Sequence, residues 1–117
     1  KNPGGDLRFY WDRGSANAFS GNGAVAIGEW QHVIIVRDVS GNAVKFYVNG
    51  SLVTTVSGQA GSNIPTTGNT FRIGADSRNG ATVTNGDISI VKMYSIALTA
   101  AQVTQNYNAQ KSRFGLW

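Results

Sequence analysis

The stretch AVKFYVNGSLVTTV, at positions 43–56, leaves little choice of structure. Val44, Phe46 and Val48 alternate with Lys45 and Tyr47, and after Asn49-Gly50 the residues Leu52, Thr54 and Val56 alternate with Val53 and Thr55. A period of two belongs to a strand, and Asn-Gly tolerates positive φ at both central positions of a two-residue turn, so the stretch predicts a β-hairpin. Immediately upstream, the segment Trp30 to Val39 sets Trp30, His32, Ile34 and Val36 on one side and Val33, Ile35 and Val39 on the other. Apolar residues on both sides predict a covered, central strand, joined through Ser40-Gly41-Asn42 to the hairpin as a three-stranded antiparallel meander.

The rest of the chain continues in the same idiom. Ser57 to Asn69, around Ile64-Pro65, reads as a loop; TFRIGA reads as a further strand; DSRNGATVTNG reads as a second loop; and DISIVKMYS is long enough to cross a whole sheet. One helix is expected, TAAQVTQNY, running about two turns and ending near Asn108. Its start is well marked: Thr99 is placed as N-cap, Gln102 completes a capping box, and Leu98 and Val103 are spaced as a hydrophobic staple. The remainder, AQKSRFGLW, carries Phe114, Leu116 and Trp117 past the helix. No internal repeat is present.

Composition agrees and removes several function classes. A chain of 117 residues with 14% charged residues and much Gly, Asn, Ser, Thr, Val and Ile predicts one all-β domain over residues 1–117. Without cysteine there is no disulfide scaffold, thiol nucleophile or Cys-ligated metal, and the redox compartment stays open. No apolar run reaches about 18 residues, and KNPGGDLRFYW lacks the features of a signal peptide, so neither a membrane partner nor a cellular address is expected. The net charge of +4 is spread over Arg8, Arg13, Arg37, Lys45, Arg72, Arg78, Lys92, Lys111 and Arg113 without clustering, which argues against nucleic acid.

In order along the chain, GEW-x-HV, VKFYVNG, FRIGA and NGDISIVKMYSIALTAAQV resemble the concanavalin A-like lectin and laminin-G-like jelly-roll superfamily, in particular its bacterial and phage branch, over roughly Asp6 to Tyr107. The resemblance implies an antiparallel β-sandwich of two packed sheets, closed by the short helix after Ala97-Leu98-Thr99. It also implies further strands before LRFYW, so the chain looks like the C-terminal two-thirds of such a domain, completed by upstream sequence or a partner unless the fold is pared down. The ending YNAQKSRFGL looks like the close of lectin-like domains on structural proteins of tailed phages. A C-terminal tail covering its own sandwich is the alternative.

Catalytic chemistry finds few candidates. Glu29 and His32 are the chain's only Glu and His, but three residues apart on a strand they point to opposite sides, and the resemblance makes their segment framework. Glycosidases of the same superfamily carry closely spaced acids, typically Glu-x-Asp-x-x-Glu, flanking the scissile bond; here Asp6, Asp12, Asp38, Asp76 and Asp87 are isolated and mostly beside turn residues. No Gly-x-Ser-x-Gly elbow exists, GNGAVA leads into a strand rather than a helix, and the sequon Asn49-Gly50-Ser51 is explained by the hairpin. The expectation is therefore no enzyme and no resident cofactor.

Binding has more to work with. Asp76, Arg78 and Asn79, in the loop ending at Gly80, present groups for sugar hydroxyls or oxygens for Ca²⁺, or form an Asx turn that needs only Gly80. Tyr10 and Trp11 offer stacking faces for a sugar or serve as sandwich packing. Lys111, Arg113, Phe114, Leu116 and Trp117 have the makeup of a contact with a partner, apolar anchors with a polar rim. The expected function is a non-catalytic lectin-like domain on a virion surface or otherwise extracellular, recognising cell-surface glycan or decorating the particle. Its partners would be other virion proteins or copies of itself. A purely architectural capsid or tail domain is the alternative, followed by the C-terminal part of a glycan hydrolase.

Overall fold

A computed structural model describes residues 5–11, 17–61, 71–75 and 83–117. It is mostly β, with two antiparallel sheets and one C-terminal helix, as the sequence predicts. Strands β1 (Arg8–Tyr10) and β2 (Asn17–Phe19) form one sheet; β3 (Val33–Asp38), β4 (Ala43–Val48) and β5 (Ser51–Ser57) form the other, in the order β3-β4-β5. The central strand is thus β4, and β3 lies at an edge among the described residues, although both its sides are covered. Apolar side chains on both sides report cover above and below a strand; they do not report neighbours in the sheet.

The larger sheet is sandwiched between two layers. On one side Val44, Phe46 and Ile35 meet Trp11, Ala18, Leu7 and Phe9 of the β1-β2 sheet, with Ala60 and Val56 closing the cluster. On the other side Ile34, Val36 and Tyr47 meet Leu98 and Val103. Tyr47, expected on the polar side of a half-buried strand, is buried because the helix covers that side. Ser20 ties the layers at the sandwich edge: its Oγ accepts from the Leu7 amide at 2.7 Å, and its carbonyl accepts from Thr54 Oγ1 at 2.7 Å.

The Asn49-Gly50 turn forms as expected, with φ of 50° and 81°. Asn49 does more than turn the chain. Its Oδ1 accepts from the His32 amide at 2.9 Å and its own amide donates to the His32 carbonyl at 2.8 Å, which extends the β3-β4 pairing by one position. One residue pattern changes within β5: Phe46 faces Thr54 while Tyr47 faces Leu52, so Val53 bulges and the strict alternation expected from Leu52 to Val56 is interrupted.

Helix α1 (Ala100–Gln110) is longer than the two turns expected. Its capping box is complete, with the Thr99 amide donating to Gln102 Oε1 at 2.9 Å and the Gln102 amide donating to Thr99 Oγ1 at 3.3 Å. Leu98 and Val103 are both buried as the staple requires. Further along the same side, the Tyr107 ring lies 5.9 Å from the His32 ring and directly on Gly50, where an added Cβ would come within 2.9 Å of Tyr107 Cδ1.

Among the described residues, two expected strands do not form ladders. In TFRIGA the described residues 71–75 contribute only a single bridge, Ala75 to Val83, and DISIVKMYS forms no ladder. Among the described residues no backbone hydrogen bond links positions 85–98 to the rest of the chain, and Phe71, Ile73, Ile88, Val91 and Met93 are exposed. Strand propensity alone does not hold an extended segment; a paired neighbour and a covered side do, and among the described residues these segments have little of either. The loop around Ile64-Pro65 lies outside the described residues.

Two consequences can be measured. Gly50→Ala meets both left-handed strain and the Tyr107 ring, whereas Gly58→Ala, at the same φ of 81° but with open space around it, meets strain alone. Chemical denaturation should show Gly50→Ala losing about 2 kcal/mol or more, and Gly58→Ala about 1 kcal/mol. The second concerns pH. Burial of His32, with the Lys92 charge adding to it, lowers the imidazole pKa below its ordinary 6.5, so the unfolded chain takes up the proton more readily. Stability from His32 is complete above about pH 6.5 and declines as pH falls below it; His32→Gln should flatten the stability profile in that window. Asp38 acts lower: the Gly41 amide, the Ser40 hydroxyl and Lys45 hold its pKa at about 2 against an ordinary 3.8, so its contribution is lost only as pH falls from near 3.8 through about 2.

Candidate functional site

The residues singled out in the sequence do not converge on one place. Asp76, Arg78 and Asn79 lie outside the described residues. Tyr10 and Trp11 alternate across their strand: Tyr10 packs edge-on to Phe19 at 5.7 Å, while Trp11 is only 6% exposed, with Phe9 at 5.2 Å and the Arg37 guanidinium at 5.6 Å from its ring. Trp11 is therefore a core side chain, with its ring committed to the sandwich.

Glu29 and His32 also separate. Glu29 is exposed in the bend after Gly28, whose φ is 84°. His32 is half-buried against Tyr107, and its buried Nδ1 has no hydrogen-bond partner. Its imidazole is partly desolvated and packs against an aromatic ring. Two of the described carboxylates are occupied elsewhere, Asp6 with Arg8 at 2.9 Å and Asp38 with Lys45 at 3.2 Å. Among the described residues no group of three His, Asp or Glu is placed to hold a metal ion.

The C-terminal segment divides in two. Residues Lys111–Phe114 form a 3-10 turn, closed by Gly115 at φ 65° and by the Leu116 amide on the Lys111 carbonyl at 2.8 Å. That turn carries Phe114 back onto Trp30, ring centres 5.3 Å apart, with Arg113 beside the Phe114 ring and the Lys111 ammonium 5.8 Å from the Tyr107 ring. Leu116 is half-buried, and Trp117 stands 92% exposed.

Among the described residues a concave feature lies elsewhere, between the segment entering α1 and the outer side of α1 itself. It is an open groove of ≈ 360 Å³ lined by Tyr94, Ile96, Leu98, Gln102, Gln105, Asn106 and Ala109. Gln102, Gln105, Asn106 and Ala109 recur at three- and four-residue spacing, so one stripe of the helix forms one wall. Tyr94 forms the other wall, 47% exposed, its hydroxyl accepting from Asn106 Nδ2 at 3.1 Å. Leu98 and Ile96 supply apolar surface, and the polar lining is carboxamide and phenol without a formal charge. Sequence reading missed this groove, since Tyr94 sat inside an expected strand. The available signal was the stripe of carboxamides at three- and four-residue spacing along the helix.

Comparison with known proteins follows from this architecture. No curated protein matches the chain. Among solved structures, an S-layer domain-containing protein (residues 221–444) from Clostridium thermocellum ATCC 27405 is similar in fold, with a TM-score of 0.51 and 18% sequence identity over 78% of this chain. The chain spans 44% of the length of that structure. A family profile of laminin G type, described as the concanavalin A-like lectin/glucanases superfamily, matches residues 2–104. With two antiparallel sheets closed by a capped helix and a match over most of its length, the chain belongs to the concanavalin A-like lectin/glucanases superfamily.

Proposed function

We propose that this domain is a non-catalytic, lectin-like module displayed on an extracellular surface, where it recognises glycan. The observation that carries the reading is the placement of three acids among the described residues, Asp6, Glu29 and Asp38. Hydrolysis of a glycosidic bond needs two carboxylates facing each other across about 5–10 Å. Here Asp6 and Asp38 are held by their own cations, Glu29 stands in a bend, and none of the residues lining the groove is acidic. The S-layer relationship in fold supports a surface setting. A phage capsid or tail protein is the specific setting we propose, because the ending YNAQKSRFGL resembles such domains. Asp76, Arg78 and Asn79 are proposed as further ligand contacts, with Ca²⁺ as a candidate ion there.

A second, architectural reading is favoured by the exposed apolar side chains at Ile88, Ile90, Val91 and Met93 together with Trp117. Exposed groups of this kind suit contact with other virion proteins or another copy of the chain. Both readings leave the chain without a turnover number, so the discriminating measurement is paired. In a screen against oligosaccharides, reducing-end release should stay at background for the wild type and for Glu29→Gln alike, while a glycan array should retain the protein with chelator changing retention only where Ca²⁺ takes part. Turnover abolished by Glu29→Gln overturns the non-catalytic reading, and an empty array leaves the architectural one.

A further inference from the structure

We infer that the groove between Tyr94 and helix α1 is the carbohydrate site, and that it selects neutral sugars over charged ones; the inference rests on the lectin-like reading. A neutral sugar ring offers two kinds of surface, an apolar patch of C–H groups and a rim of hydroxyls that both donate and accept. The groove offers the complement of each. The half-exposed Tyr94 ring supplies a flat aromatic face for the C–H patch, and Ile96 and Leu98 extend that apolar surface. Gln102 and Gln105 bring carboxamides to the helix wall, with Asn106 meeting the Tyr94 hydroxyl at 3.1 Å where the two walls join, and a carboxamide presents a donor and an acceptor side by side, as vicinal hydroxyls do.

Existing hydrogen bonds fix which of these groups stay available. Gln102 Oε1 is engaged by the Thr99 amide at 2.9 Å and by Thr99 Oγ1 at 3.2 Å, which pins the side chain and leaves its Nε2 as donor. Asn106 Nδ2 donates to the Tyr94 hydroxyl at 3.1 Å, which orients the phenol ring and leaves Asn106 Oδ1 as acceptor. One donor and one acceptor are thus held in place by bonds already made, on a capped helix rather than on a loop, so little freedom is lost on binding. The volume of ≈ 360 Å³ sits at the lower end of the roughly 300–1,000 Å³ typical of small-ligand pockets, which suits one or two sugar rings. Among the described residues no Lys, Arg, Asp or Glu lines the groove, so a carboxylate or sulfate on the sugar would lose water without meeting a counter-charge there.

The test is a titration of the intact chain, followed by amide chemical shifts, with neutral oligosaccharides and with uronic-acid oligosaccharides taken from the same array. Shifts should cluster at positions 94–98 and 102–109 for neutral sugars, and affinity should not change with added salt. Tyr94→Ala should weaken neutral-sugar binding about 10-fold, and Tyr94→Phe, which keeps the ring and loses the hydroxyl, only about 2-fold. Gln105→Ala, a change that an exposed helix position accommodates, should weaken it several-fold with the amide spectrum otherwise intact. Shifts elsewhere on a protein that does bind neutral sugar overturn this site and leave the lectin reading standing. Preference for the charged sugars with salt-sensitive affinity overturns the selectivity, and binding of no sugar at all overturns both the site and the reading beneath it.

Discussion

Each layer of the domain is fastened to β4, whose adjacent residues Phe46 and Tyr47 point to opposite sides and are both buried. Phe46 joins the cluster beneath the β1-β2 sheet, and Tyr47 joins the cluster beneath α1, so one strand stands between the two cores. Burial of one such side chain contributes about 1.5–3 kcal/mol, and loss of either covering layer would return one of the pair to water. The strand's two ends are held by the same device. Asn42 and Asn49, with φ of 46° and 50°, flank β4 in left-handed conformations, and each uses its side-chain carbonyl as a substitute backbone acceptor: Asn42 for the Gly61 amide at 3.0 Å, Asn49 for the His32 amide at 2.9 Å. Asparagine tolerates that backbone region and spends its side chain locally, which is why it marks both corners.

What was legible in the sequence divides by range. The Asn49-Gly50 turn, the Thr99 and Gln102 capping box and the Leu98 and Val103 staple are fixed by residues within five positions of one another, and all form. Features that depend on distant parts of the chain were not legible. The burial of Tyr47 depends on a helix more than fifty residues downstream, and the edge position of β3 depends on which strand lies beside which. DISIVKMYS and TFRIGA have strand propensity without a described partner to satisfy it. Their apolar side chains remain exposed, which is the physical content of an unpaired strand pattern.

The site follows the same division. Trp11 and Tyr10 were attractive as a pair because they are adjacent, yet adjacency on a strand sends them to different sides, and the core takes the tryptophan. His32 was attractive because it is the only histidine; packed against Tyr107 with an unsatisfied Nδ1, it is a pH-sensitive element of the helix contact. The groove became visible only once Tyr94 and Asn106 were brought within hydrogen-bond reach, twelve residues apart in the chain.

Helix α1 accounts for why a groove can exist there at all. Its inner side, through Val103 and Tyr107, is committed to β4, Gly50 and His32, and this docking together with the capping box sets its position. With its position set from below and by the capping box, the outer stripe of Gln105, Asn106 and Ala109 contributes little to holding the helix. A helix held by its own packing is a more exact platform than a loop of equal polarity. The demands of folding therefore fall on the inner side and the first turn of this short helix, and substitutions at Gln105 and Ala109 on its outer side should leave the two cores on β4 intact.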